Sequence, residues 1–337
     1  MDQKNVAVIG AGHLGKIHAK LLKTIEGVNP FVVEPLIDAR RHVETELGIP
    51  CFETVAGIGQ PLDGAIVVTP TQTHFDIAKS LIQSGCHLFV EKPICADAKS
   101  SLELCELAER NERVLQVGHV ERFNPAYVAA RPLLNNVRLM ECTRHTPYTF
   151  RATDVSVVQD LMIHDIDLVL STIGSKVVDV RATGSRTIGP HWDSAVAWIE
   201  FENGAQACLR ASRISNSPNR SMQCMLSKGQ VNVDFATQKV ECMQPVENLQ
   251  VRLSELSLEQ QATAREEMFE KWLPVTQVEV TPQNAILEEQ KEFIACLNDE
   301  AYPTVSGRDG LAAVEVAEWV MQSLETVSSD RFKQVAA

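Results

Sequence analysis

The sequence predicts an α/β protein: an N-terminal parallel sheet flanked by helices, then an α+β region whose sheet is mostly antiparallel and open on one face. Three observations carry this. Up to about residue 120, short β-branched runs alternate strictly with amphipathic stretches, the pattern of repeated βαβ units. After Pro125 the segments alternate apolar and polar residues, as a sheet with one packed and one open face requires. Between the first apolar run and the first helical stretch lies Gly10-Ala11-Gly12-His13-Leu14-Gly15. A G-x-G-x-x-G turn in a strand-turn-helix context marks the Rossmann dinucleotide-binding unit.

In chain order, strands are expected at 6–10, 31–34, 64–69, 87–90 and 114–117. Helices are expected between them at 17–25, 40–47, 75–83 and 98–111, the last carrying an S-x-x-E pattern at Ser100 and Glu103. Beyond Pro125 one apolar helix is expected over 155–172, strands over 177–183, 195–201, 205–210 and 231–235, and helices over 252–272, 284–297 and 309–326. At 337 residues the chain exceeds what one hydrophobic core serves. Two domains are therefore expected: 1–120 for the dinucleotide and 121–337 for substrate and oligomer contacts, with the last helices able to pack back on the first.

Composition excludes several classes. With 45% hydrophobic and 22% charged residues the chain is ordinarily globular, and no apolar run approaches the roughly 20 residues that cross a bilayer. The N-terminus lacks the basic region, long apolar core and cleavage site of a secretion signal, so a soluble, cytoplasmic protein is expected. Nine scattered cysteines without a C-x-x-C pair indicate buried, reduced thiols, and no metal is expected. A net charge of -13 argues against a nucleic-acid partner while leaving room for a small anion in a locally basic pocket.

Within the glycine turn, Gly10 permits the tight bend, Gly12 lets the backbone approach a pyrophosphate, and Gly15 allows close helix packing. His13 and Leu14 open the helix whose N–H groups and dipole attract phosphate. Glu34, about 20 residues on, closes the second strand where a carboxylate accepts both ribose hydroxyls and repels a 2'-phosphate. Asp38 competes for that place, and Arg40 and Arg41 favour a 2'-phosphate, so NAD is preferred to NADP rather than deduced.

Three further segments join the turn: Thr69-Pro70-Thr71-Gln72-Thr73-His74, Glu91-Lys92-Pro93, and the stretch from Asp160 through His164 to Asp167. Together they resemble the glucose-fructose oxidoreductase, inositol dehydrogenase and MocA family of nicotinamide enzymes. The segment 303–310 is similar to that family's usual close before the last helix, so the resemblance runs nearly end to end. It implies that Thr69, Pro70, Thr71 and His74 line the cofactor cleft, which their place beyond a strand's carboxyl end independently supports. His74 reads equally as the cap region of its own helix. The resemblance also implies that Glu91, Lys92 and Pro93 contact the cofactor and that Lys92 also contacts substrate, the proline following a cis bond. A partly buried ammonium there orients a hydroxyl and stabilises a developing alkoxide. Taken alone, the segment would read as a surface Glu-Lys pair.

Asp160, His164 and Asp167 recur at i, i+4 and i+7 among apolar neighbours and so share a helix face. Such a stripe must meet water, a partner or a ligand. The resemblance puts catalytic groups at Asp160 and His164, with the imidazole as general acid/base and Asp160 orienting it or binding substrate hydroxyls. Met162 departs from a glycine common in the family.

Between the domains, Gly118 to Pro125 includes Arg122 and Asn124, which hold sugar or phosphate oxygens, or else Arg122 anchors the crossover through an ion pair. This segment and 160–165 are most similar to the branch that oxidises C3 of UDP-N-acetylglucosamine or its uronate, implying a sugar or sugar-nucleotide substrate. An NAD-dependent glycosidase with transient C3 oxidation, a dehydrogenase of another sugar or cyclitol, and a non-catalytic sensor are the alternatives. Arg144, His145, Tyr148 and Arg151, with Arg210 and Arg213, form either a positive patch for a diphosphate or sheet and oligomer contacts. An open sheet face near Trp192 and Trp198 implies a homodimer or homotetramer.

Overall fold

The computed structural model describes residues 3–150 and 152–335. Contacts divide the chain into two compact units, Met1–Phe123 with Gln283–Glu318, and Asn124–Pro282 with Trp319–Ala337.

The first unit holds six strands, β1 (Lys4–Ile9), β2 (Val28–Val33), β3 (Cys51–Phe52), β4 (Gly64–Val67), β5 (His87–Glu91) and β6 (Leu115–Gly118). All pair in parallel in the order β3-β2-β1-β4-β5-β6. Helices α1 (His13–Leu22), α2 (Ile37–Leu47), α3 (His74–Gln83) and α4 (Ala98–Arg110) alternate with them. Central strands covered on both faces need continuous apolar runs, and β4 and the last four residues of β1 are wholly buried. The strand order reverses between β1 and β4, so the loops after those strands border a topological switch point, where open parallel sheets bind ligands. Helix α4 is capped by Asp97, which accepts from the Ser100 amide at 2.8 Å, rather than by the S-x-x-E pattern.

Later chain completes this unit. After α5 (Pro125–Ala130), β7 (Val137–His145) and the rest of the second unit, helix α9 (Ala285–Leu297) brings Phe293, Ile294 and Leu297 into the core around Val6, Val8 and Phe89. The packing is close: a Cβ on Gly64 would lie 2.9 Å from Leu297 and 3.0 Å from Phe293. The start of α10 (Gly307–Val335) lies against β6, where a Cβ on Gly310 would meet Val117 at 2.7 Å.

The second unit is an eight-stranded sheet ordered β14-β13-β12-β11-β7-β10-β9-β8. Its remaining strands are β8 (Val177–Ser185), β9 (Ser194–Phe201), β10 (Gln206–Ser212), β11 (Asn219–Leu226), β12 (Gln230–Asp234), β13 (Lys239–Met243) and β14 (Val275–Val278). Only β7 and β10 pair in parallel. Helix α6 (Ile163–Ile173) packs on the face carrying Met140, Cys142, Ile199 and Leu209, while the other face presents Glu141, Thr143, Arg210 and Trp198, the last 41% exposed. The helix expected over 252–272 is instead α7 (Leu249–Ser254), α8 (Leu258–Glu266) and a π turn, because Ser257 and Gln260 form a capping box that starts a new helix. Among the described residues, no helix is long and apolar enough to cross a membrane.

Candidate active site

The glycine turn has the geometry a pyrophosphate needs. Gly10 has φ +101°, a conformation open to glycine, and a Cβ there would press on the Val68 carbonyl at 2.9 Å. At Gly15 a Cβ would lie 2.0 Å from the Gly10 carbonyl oxygen. Gly12 differs: a Cβ would meet nothing within 4 Å, so open space faces the backbone there. Helix α1 begins at His13 with no side-chain cap and no acidic residue in its first turn, leaving the N–H groups of His13, Leu14 and their neighbours to an anion. These features fit a dinucleotide phosphate.

Glu34 sits at the end of β2, 8% exposed, its carboxylate accepting the amides of Ala11 at 2.9 Å and Leu36 at 3.0 Å. Each oxygen retains a second acceptor site, which suits it to ribose hydroxyls. Arg40 turns its Nη1 onto the carbonyl oxygens of Glu34 (2.7 Å) and Pro35 (3.2 Å), so part of its hydrogen-bonding capacity is taken by its own chain.

After β4, Thr73 donates its hydroxyl proton to Thr69 or to the Pro70 carbonyl, at 2.8 and 2.7 Å. His74 is buried, its Nδ1 2.9 Å from the Pro93 carbonyl oxygen and its Nε2 2.8 Å from that of Thr69. The ring therefore ties the Thr69-Pro70-Thr71 loop to the loop carrying Lys92, a role distinct from capping its own helix. Lys92 is half-buried at the end of β5, and Lys92-Pro93 is cis. Glu91, grouped on sequence with the cofactor contacts, sends its carboxylate into the interior: Oε1 is 2.9 Å from His18 Nε2, and Oε2 accepts the Lys92 amide at 3.2 Å. Arg122 donates to the Thr304 carbonyl at 3.1 Å and pairs with Asp309 at 3.2 Å, which is the anchoring arrangement.

In the second unit, Asp160 lies in a π turn over Val158–Met162, and His164 follows in the first turn of α6; both are half-buried. π turns widen a helix by one residue and recur at functional sites. Two buried ion pairs hold this region. Arg144 of β7 grips Asp165 with Nε at 3.1 Å from both oxygens and Nη2 at 2.7 Å. Arg213 bonds Asp193 at 2.8 Å and donates to the carbonyls of Ala152 and Val155, each at 2.9 Å, fixing the approach to the π turn. Burial pushes the Asp193 carboxyl up, but the amides of Ile188 and Thr187 and the Arg213 guanidinium outweigh it and hold the group below its ordinary value. Arg144 and Arg213 are thus committed to carboxylates and not to a diphosphate patch, and Arg151 lies outside the described residues. Asn124 caps α5 by accepting the Ala126 amide at 3.0 Å. No local pattern signals the Arg144–Asp165 pair, since nothing nearby in the chain joins a strand residue to one 21 positions on.

The nine cysteines are unpaired and eight are buried; burial pushes the thiols of Cys86 and Cys224 up to about 12, so neither offers a thiolate nucleophile.

A parallel sheet with strand order 3-2-1-4-5-6, an open glycine turn and an acid closing β2 define an NAD-binding dehydrogenase of the Rossmann class. The chain belongs to the GFO/IDH/MocA oxidoreductase family: residues 4–119 match its NAD-binding Rossmann fold and 131–232 its C-terminal domain. Among curated relatives, UDP-N-acetylglucosamine 3-dehydrogenase of Acidithiobacillus ferrooxidans is 35% identical over 236 residues, covering 70% of this chain and 75% of the relative. The NAD-dependent scyllo-inositol 2-dehydrogenase of Bacillus subtilis is 30% identical over 235 residues, covering 63% of this chain and 68% of the relative. A solved structure of UDP-N-acetylglucosamine 3-dehydrogenase from Acidithiobacillus ferrooxidans superposes with a TM-score of 0.84 at 28% identity, covering 97% of this chain and 99% of that one.

Proposed function

We propose that the enzyme oxidises the C3 hydroxyl of a UDP-N-acetylglucosamine-type sugar nucleotide. The observation that carries this reading is the 35% identity over 236 residues to a UDP-N-acetylglucosamine 3-dehydrogenase. Bound NAD supplies the two-electron acceptor. Gly10, Gly12, His13, Leu14, Gly15 and Glu34 hold its pyrophosphate and ribose, and Thr69, Pro70, Thr71, His74 and Pro93 line its course. Lys92 donates a hydrogen bond to the reacting hydroxyl and stabilises negative charge as it develops on that oxygen. His164 removes the hydroxyl proton, and Asp160 orients the imidazole or a neighbouring sugar hydroxyl. Lys92 belongs to the first unit and His164 to the second. Asn124 contributes to the sugar's surroundings; Arg122 supports the segment that carries it.

Absorbance at the NADH band after mixing enzyme and NAD with UDP-N-acetylglucosamine, its uronate, glucose or inositol tests the substrate. The signal is expected with the UDP-sugars alone, increasing when an aminotransferase and amine donor remove the keto product. The relationship to scyllo-inositol 2-dehydrogenase supports the second reading; NADH formed with inositol and not with UDP-sugars would establish it. Aglycone release without net NADH would instead identify a glycosidase.

We also place the enzyme in the cytoplasm, where its nine unpaired thiols suit a reducing compartment. Its open sheet face, with Trp198 exposed, is proposed to join copies into a homodimer or homotetramer. Light scattering is expected to give two or four times the chain mass; a monomer would refute this.

A further inference from the structure

An imidazole and two carboxylates meet in the interior of the first unit. His18 of α1, Glu91 of β5 and Glu289 of α9 are all buried, and each offers a polar atom within 4.8 Å of the other two. Glu289 is completely buried, and among the described residues neither of its oxygens has a hydrogen-bond partner. A lone carboxylate in that position, beside a second one, is strongly disfavoured. Either a cation or a proton relieves it.

The hydrogen bonds of Gln290 decide between them. Its Nε2 donates to the His18 carbonyl oxygen at 3.1 Å, which fixes the orientation of the amide, and the same nitrogen lies 2.8 Å from His18 Nδ1. An amide NH2 has two protons and no acceptor site. Nδ1 must therefore accept, so the single proton of a neutral imidazole sits on Nε2, 2.9 Å from Glu91 Oε1. A protonated Nε2 has no lone pair for a metal, and a cation site loses its nitrogen ligand.

We propose that Glu289 is a carboxylic acid at neutral pH, hydrogen-bonded to the Glu91 carboxylate, and that Glu289, His18 and Gln290 are positioning residues acting on Lys92 through Glu91. Glu91 Oε1 faces the His18 Nε2 proton, Oε2 accepts the main-chain amide of Lys92, and a Glu289 carboxyl oxygen lies within 4.8 Å of the Glu91 carboxylate. Gly118 leaves space for this carboxylate, since a Cβ there would lie 2.8 Å from it. Burial first, then the charges of Glu91 and Glu292, push the Glu289 carboxyl well above its ordinary value. Of the other charged groups on the packed elements, Glu292 accepts from Thr304, Arg122 pairs with Asp309, and Glu121 lies on the 120–123 turn against α9. The positioning role rests on the reading of Lys92 given above; the proton on Glu289 does not.

Infrared spectra, turnover and thermal stability across pH test the proposal in the whole enzyme. A protonated-carboxyl C=O stretch is expected at pH 7 and should vanish in Glu289→Gln. Because glutamine retains an N–H donor, Glu289→Gln should keep turnover near the parent value. Glu289→Ala should lower it about 10- to 100-fold by letting Lys92 shift. A carboxyl raised in the folded state costs stability as pH climbs from its unfolded value near 4.5, because the unfolded chain then releases a proton that the folded one keeps. The parent should show that decline, and Glu289→Gln should show less of it. Absence of the carboxyl stretch overturns the proposal, as does stoichiometric metal that disappears in Glu289→Gln. Lys92→Met is expected to lose turnover yet keep the stretch; if it keeps both, the Lys92 reading fails with the positioning role, while the proton on Glu289 stands.

Discussion

His164→Ala is expected to lower kcat by about 10²- to 10⁴-fold, the usual contribution of a positioned general base, while the affinity for NAD stays unchanged. The separation follows from where the residues lie. The glycine turn and Glu34 belong to the first unit, whereas His164 belongs to the second and begins α6 directly after the π turn. Removing an imidazole that acts only in the reaction should reduce kcat and kcat/KM together. Stopped-flow NADH formation, with NAD binding followed by fluorescence, measures both. Turnover within about tenfold of the parent would remove His164 from the role of base. A weakened grip on NAD would assign it a place in cofactor binding instead.

The largest stability effect is expected from the pair beneath that helix. Arg144 and Asp165 have side chains 4% and 2% exposed, and their contacts involve both carboxylate oxygens. Arg144→Met leaves Asp165 charged and enclosed, which costs about 3–5 kcal/mol for a broken buried pair. The double variant Arg144→Met/Asp165→Leu removes both charges and should recover most of the loss, since apolar replacements of similar volume are tolerated at such sites. Urea unfolding of the parent, the single variants and the double variant forms the required cycle. Additive losses would mean that the two residues contribute independently.

The parallel sheet was legible because each buried strand is a nearly unbroken apolar run and each helix between has a polar face. β3 escaped because two residues, Cys51 and Phe52, carry no period. In the second unit β8, β9, β10 and β12 were legible by alternation. The central strand β7 was not, because Arg138, Glu141 and Arg144 interrupt its apolar pattern, and Arg144 is buried only by virtue of its acid on another element. The π turn was invisible for a related reason: its residues have ordinary helical chemistry, and the extra residue per turn is set by packing. Local spacing identified the cofactor turn, while the cluster of His18, Glu91 and Glu289 joins positions more than 70 residues apart through the tertiary fold.

The chain's path between the units has an architectural consequence. It leaves the dinucleotide unit at Phe123 and re-enters at Gln283, and those two residues are neighbours, Gln283 Nε2 donating to the Phe123 carbonyl at 3.4 Å. Apart from the end of α10, the second unit is therefore a long insertion between two adjacent points of the NAD-binding unit. Its ends enter and leave almost together, so the inserted body can change in length, sequence or specificity while the host keeps α9 and the core it completes.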